Sequence, residues 1–72
     1  MTDNELRKIY YPIAESWKMM IEYADSTGTP VECFKVQEQA KDIFEKSGKT
    51  IFAKEIISAA VNEIDRIMRE NG

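Results

Sequence analysis

Asp25-Ser26-Thr27-Gly28 and Lys46-Ser47-Gly48-Lys49 are two short polar stretches that divide the chain into three segments. Within each segment, apolar residues recur at intervals of three and four, which is the spacing of an amphipathic helix. Connections this short favour antiparallel neighbours, because a helix that follows a brief turn packs back along the one before it. The sequence therefore predicts an all-α fold, a small three-helix bundle in up-down-up order, with helices at about 3–24, 30–46 and 50–70.

The first segment carries two apolar surfaces. Its main stripe is expected to face the core and consists of Leu6, Ile9, Ile13, Trp17, Met20 and Ala24, with Tyr10 and Ile21 beside it. Met19 and Tyr23 form a second patch about a quarter-turn away. The sequence leaves open whether this patch packs inside the bundle or lies at an interface.

Pro12 lies inside the first segment, where proline removes a backbone hydrogen bond and crowds the preceding turn. Because the main stripe stays in phase across this residue, we expect one helix that is kinked at Pro12. The alternative is a short helix through Ile9, followed by a new helix with Pro12 in its first turn.

The second and third segments have clearer starts. Thr29-Pro30-Val31-Glu32 combines a hydroxyl cap, a proline at the first helical position and a glutamate three residues after the cap. Thr50 is the expected cap of the third helix. The second stripe is expected to contain Cys33, Val36, Ala40, Ile43 and Phe44. The third is the cleanest apolar face and contains Ala53, Ile56, Ile57, Ala60, Ile64, Ile67 and Met68.

The composition limits how the fold is stabilised. The chain has 72 residues, 43% hydrophobic and 32% charged, which suits one globular domain. A core of this size supplies only about 3–5 kcal/mol. Cys33 is the only cysteine and there is no histidine, so neither an internal disulfide nor a structural zinc site is expected. We therefore expect tight packing or completion by homodimerisation, and a dimer whose core is shared by the long first and third helices is the main alternative fold.

The cellular location is predicted from the single cysteine and from the lengths of the apolar runs. A lone thiol suits a reducing compartment, and the first residues lack the basic flank and apolar run of a signal peptide, so we expect a cytoplasmic protein. No apolar run approaches the roughly 20 residues that span a bilayer, so no membrane partner is expected.

Three motifs match ligand sites only in part. Ser47-Gly48-Lys49-Thr50 matches the end of a phosphate-binding loop, but Ile43 occupies the position of its first glycine, so a glycine helix stop and a threonine cap explain it better. Asp25–Thr29 lacks the glycine and the closing carboxylate of a calcium loop. Cys33 has no histidine to activate it and is expected to be a buried structural thiol. We therefore expect no enzyme activity, no cofactor, no metal and no small-molecule substrate.

Function is therefore expected to reside in a surface. The candidate interface residues are Tyr11, Met19, Tyr23 and Phe34, since tyrosine, methionine and phenylalanine are enriched at protein interfaces. We predict a non-enzymatic protein–protein interaction module whose partners include a second copy of itself. The alternative is a small transcriptional regulator or nucleic-acid accessory protein that uses the third helix. A net charge of −3, with Glu55 and Asp65 among the basic residues of that helix, argues against nucleic-acid binding.

Overall fold

Three helices form almost the whole chain. The computed structural model describes residues 1–72 and contains α1 at Asp3–Glu22, α2 at Pro30–Lys46 and α3 at Ile51–Asn71, with no strand. Each observed helix end lies within two residues of the expected one. The helices pack against one another, and α1 contacts α3 more extensively than α2. The predicted all-α fold of three packed helices is confirmed.

A hydroxyl cap begins each helix. The side chains of Thr2, Thr29 and Thr50 accept a hydrogen bond from the backbone N–H three residues on, at 3.3, 3.3 and 3.0 Å. At Thr29 the cap is reciprocal, because the Glu32 carboxylate accepts from the Thr29 N–H at 3.2 Å and from its hydroxyl at 2.8 Å. Each threonine cap contributes about 1 kcal/mol to helix stability.

The two connections keep the helices alternating in direction. Gly48 has a φ of +82°, and a Cβ on it would lie 3.3 Å from Cε of Lys8, so the turn between α2 and α3 closes against α1. At the other end, the Asn71 amide donates to the carbonyl oxygens of Ala24 and Ser26, each at 3.0 Å. α1 and α3 therefore start at one end of the bundle and finish together at the other.

The core is built mainly from α3. Nine hydrophobic side chains are buried, and five of them come from this helix. They are Met19, Tyr23, Val36, Ile43, Ala53, Ile57, Ala60, Ile64 and Met68. Ile56 and Ile67 are half-buried beside them. The predicted apolar face of the third helix is thus confirmed.

α1 is rotated about its own axis relative to the prediction. Its buried residues are Pro12, Ser16 and Met19, and Tyr23 follows on the same side. The expected core stripe is instead largely in solvent: Leu6, Ile9, Ile13 and Trp17 are 50, 42, 46 and 60% exposed. This part of the prediction is wrong because it ranked the two surfaces of α1 by apolar content alone.

Small side chains explain which surface of α1 faces inward. Ser16 on α1 and Ala53 and Ala60 on α3 are almost completely buried. Short side chains let two helices approach closely, whereas a stripe containing Trp17 would hold them apart. Contact with α3 therefore selects the side of α1 that carries Ser16.

Cys33 is exposed, contrary to the prediction of a buried thiol. Its Sγ lies 3.7 Å from the carbonyl oxygen of Gly28. It is about 60° round the helix from Val36, which places it at the edge of the contact with α3. The rest of the α2 stripe is confirmed: Val36 and Ile43 are buried, and Ala40 and Phe44 are half-buried.

α1 continues through Pro12 as one helix, so the alternative of two helices is wrong. Pro12 is almost fully buried, and the packing of its ring offsets part of the cost of the lost backbone hydrogen bond. A kink at Pro12 stays a prediction.

Met19→Ala and Ile21→Ala distinguish the observed rotation of α1 from the expected one. Met19 is buried, so its truncation should lower the free energy of unfolding by about 2–5 kcal/mol. Ile21 is exposed, and its truncation should change the free energy by about 0.5 kcal/mol or less. Urea unfolding followed by circular dichroism at low protein concentration measures both. A larger loss for Ile21→Ala would contradict the observed rotation.

The cap at Glu32 makes stability depend on pH. The hydroxyl of Ser26, then the hydroxyl and N–H of Thr29, lower the pKa of the Glu32 carboxyl. A carboxyl whose pKa is lower in the folded state stabilises the fold above its unfolded pKa, and this contribution is lost as pH falls through the folded value. Between about pH 5 and 3, wild type should therefore lose more stability than Glu32→Gln.

Denaturant unfolding at several pH values tests this dependence. Glu38→Gln removes an exposed carboxylate from the same helix and serves as the matched control for the loss of one charge. If Glu32→Gln and Glu38→Gln follow the same pH dependence, the capping contribution of Glu32 is refuted.

Candidate protein-interaction surface

A continuous apolar surface covers one side of α1 and the adjoining side of α3. Its exposed members are Leu6, Ile9, Ile13 and Trp17 on α1, with Phe52 and Ala59 on α3, and its half-buried members are Met20 and Ile56. We call these eight residues the α1–α3 face. Tyr10 and Ile21, both exposed, border it on the α1 side.

A groove of about 410 Å³ runs along the middle of this face. Its lining comprises Ile13, Ser16, Trp17 and Met20 from α1, and Ile56, Ala59, Ala60 and Glu63 from α3. Ser16 and Ala60 are buried and form the floor, whereas Trp17 and Ala59 are exposed and form the rim. The close approach of the two helices therefore creates both the groove and its exposed apolar walls.

The face is large for a chain of this size. If a fully exposed large side chain presents roughly 200 Å², the exposed fractions of the face amount to an area on the order of 600 Å². That is at the upper end of the largest apolar patch of a typical monomer, about 300–600 Å². Patches at this end of the range are often functional, whereas apolar residues exposed singly are ordinary.

Charge enters the face only at its C-terminal end. Glu63 lines the groove, and its carboxylate accepts from Nε of Arg66 at 2.7 Å. Arg66 also pairs with Glu70 at 2.6 Å. The hydrogen bond from Arg66 lowers the pKa of the Glu63 carboxyl. These exposed pairs add little to stability, but they leave this end of the face with two carboxylates and one guanidinium.

The four predicted interface residues do not form one exposed surface. Met19 and Tyr23 are 3% and 5% exposed and belong to the core. Burial raises the pKa of Tyr23, whose hydroxyl has no hydrogen-bond partner. Tyr11 is half-buried against the core. Phe34 alone projects into solvent, on α2, with Val31 also exposed one turn away.

The sequence pattern marks the residues of the α1–α3 face as apolar, but it predicts that the members on α1 lie in the core. The available signal was that α1 carries apolar residues around more than half of its circumference. A helix in a small bundle buries one stripe against its neighbours, so a second stripe on the same helix indicates a second contact surface.

The other surfaces are smaller or more polar. A groove of about 380 Å³ between α1 and α2 is lined by Glu15, Glu22, Glu38 and Asp42, and Gln39 donates to both oxygens of Glu22 at 3.3 Å. No group of three or more histidine, cysteine, aspartate or glutamate side chains is placed to hold a metal ion. None of the helices combines the length and the apolar character needed to cross a membrane.

Trp17 is the only tryptophan and reports directly on the face. At low concentration its emission should be that of a solvent-exposed indole and should be quenched readily by acrylamide, because the side chain is 60% exposed. If the face is buried by association, the emission should shift to shorter wavelength as concentration rises. A spectrum that does not change from low micromolar to millimolar concentration would show that Trp17 stays in solvent.

No protein-family model, no curated protein and no solved structure matches this chain. The α1–α3 face carries five of the eleven exposed large hydrophobic side chains.

Proposed function

We propose that the chain is a non-enzymatic helical protein–protein interaction module that forms a homodimer by burying the α1–α3 face against a second copy. The observation that supports this is the alignment of Leu6, Ile9, Ile13 and Trp17, all substantially exposed, along one side of α1. Their spacing follows the helical repeat, so one flat apolar strip would be covered in a single contact.

The energetics favour association over isolation. Two of the nine buried hydrophobic residues are alanines, so the core of one chain is small. Full burial of a large apolar side chain contributes about 1.5–3 kcal/mol. Covering even part of the face would therefore contribute as much as the roughly 3–5 kcal/mol that a core of this size supplies.

The surface area also suits a dimer. The chain exposes 5162 Å², whereas a folded monomer of 8.3 kDa exposes roughly 4,600 Å². Its rod-like extents of 43 × 16 × 16 Å leave the long apolar side open. A standard interface takes about 800 Å² from each partner, which the face and its polar border supply.

A second copy fits this surface better than a charged partner. The eight residues of the face carry no charge, and Glu63, which lines the groove beside them, is paired with Arg66. An apolar surface without unpaired charge is complementary to itself, and isologous two-fold dimers are the commonest oligomers.

A lone thiol suits a reducing compartment, and we place the dimer in the cytoplasm.

The nucleic-acid alternative has no observation in its favour. It requires free basic groups on α3, but Arg66 is paired with Glu63 and Glu70, and Arg69 is paired with Asp65 at 2.7 Å. Lys54 is the one basic residue of α3 without an ion pair. Phosphate recognition would have to displace these carboxylates first.

Trp17→Gln and Phe34→Gln provide a matched test of the proposed surface. The two aromatic residues are 60% and 64% exposed, on different helices, and glutamine suits a helix. We expect Trp17→Gln to weaken association at least about tenfold, which corresponds to a loss of roughly 1.4 kcal/mol. Phe34→Gln should leave it unchanged. Sedimentation equilibrium of wild type and both variants measures this.

Two outcomes would contradict the proposal. If the wild-type chain is a monomer at high micromolar concentration, the proposed homodimer is wrong. An effect of Phe34→Gln alone would move the interface to the exposed start of α2, where the sequence pattern predicts Phe34 as a candidate contact.

A further inference from the structure

We propose that the two copies meet antiparallel, with α1 crossing the partner's α1 at a two-fold axis near Ile13. This arrangement rests on the proposed homodimer. It follows from the order of side chains along the face and from the position of its charged end.

The apolar residues of α1 are symmetric about Ile13. Leu6, Ile9, Ile13, Trp17 and Met20 follow one another at intervals of three, four, four and three residues. Reversing the direction of one copy therefore brings Leu6 opposite the partner's Met20 and Trp17 opposite the partner's Ile9. Every apolar side chain of the strip meets another apolar side chain, with none left against a polar one.

Side-chain size favours the reversed direction. In a parallel dimer the Trp17 indole would lie against the partner's Trp17 at the axis, and the smaller Ile9 would lie against the partner's Ile9. That pairing makes the interface thick at one end and thin at the other. The antiparallel pairing sets the large side chain against the smaller one at both positions, which packs the interface evenly.

Charge also favours the reversed direction. Glu63, Arg66 and Glu70 lie at one end of the face and carry one net negative charge. A parallel dimer places the two groups at the same level, so both net negative charges lie at one end of the assembly. In the antiparallel dimer the two groups lie about 20 Å apart along the axis, since Glu63 is seven residues beyond Ile56, which shares the groove with Ile13. That separation exceeds the Debye length of about 8 Å.

The antiparallel register also gives this charged end a complementary neighbour. The position seven residues before Ile56 is Lys49, which is exposed just ahead of α3. Glu63 therefore lies at the level of the partner's Lys49 and of the N-terminal end of the partner's α3. A carboxylate is favoured near both, because a lysine and a helix N-terminus are each positive.

Disulfide trapping tests the direction. The native thiol is removed by Cys33→Ser, and Leu6→Cys, Ile13→Cys and Met20→Cys are introduced singly. A disulfide requires Cα atoms within about 7 Å, and two copies of residue 6 in the antiparallel dimer are about 20 Å apart along the helix. Ile13→Cys alone should therefore cross-link. Leu6→Cys and Met20→Cys should cross-link when mixed, at least about tenfold faster than either alone.

Controls separate direction from association. Lys41→Cys, on the exposed side of α2, should not cross-link in any mixture. Ile9→Cys mixed with Trp17→Cys repeats the test using exposed positions only, so a folding defect of Met20→Cys does not decide the result. If Cys33→Ser sediments as a dimer but Leu6→Cys cross-links with itself, the antiparallel arrangement is overturned and the homodimer stands. If Cys33→Ser sediments as a monomer, both proposals fail.

Discussion

The close contact between α1 and α3 is the constraint on which the rest of the structure depends. It is made by small side chains, Ser16 from α1 against the surface of α3 that carries Ala53 and Ala60. Once these two helices are close, Met19 and Tyr23 must point inward with α2 covering them. The broad apolar stripe of α1 must then point outward. The packing of α1 against α3 thus determines which residues form the core and which form the exposed face.

Local chemistry made most of the fold predictable. A threonine hydroxyl and a following proline determine where α2 begins, because both act within a few residues of the chain. Gly48 permits the left-handed turn before α3 for the same kind of local reason. The apolar face of α3 was also predictable, since its residues match the helical period with no competing surface. Pro12 did not interrupt α1, because tertiary burial outweighed its local preference.

The candidate surface was not predictable in the same way, because burial is decided between helices rather than within one. Trp17 and Ile13 were predicted to lie in the core and are exposed, whereas Met19 and Tyr23, which the sequence left open between core and interface, are buried. Hydropathy ranks the side chains, but the distance between the axes of α1 and α3 depends on the small residues at their contact, here Ser16, Ala53 and Ala60. Cys33 was also predicted to be buried and is exposed. The rest of the α2 stripe was predicted correctly, and Cys33 lies at the end of that stripe, just outside the contact with α3.

The near absence of unpaired charge on the α1–α3 face has a thermal consequence. Burial of apolar area near room temperature is driven by the entropy of released water, and this driving force weakens on cooling. A contact made by Ile13 and Trp17 is mainly apolar, and its charged groups, Glu63 and the partner's Lys49, lie only at its ends, too few to compensate in the cold. Two such chains would hold together most firmly when warm and separate as the solution is chilled.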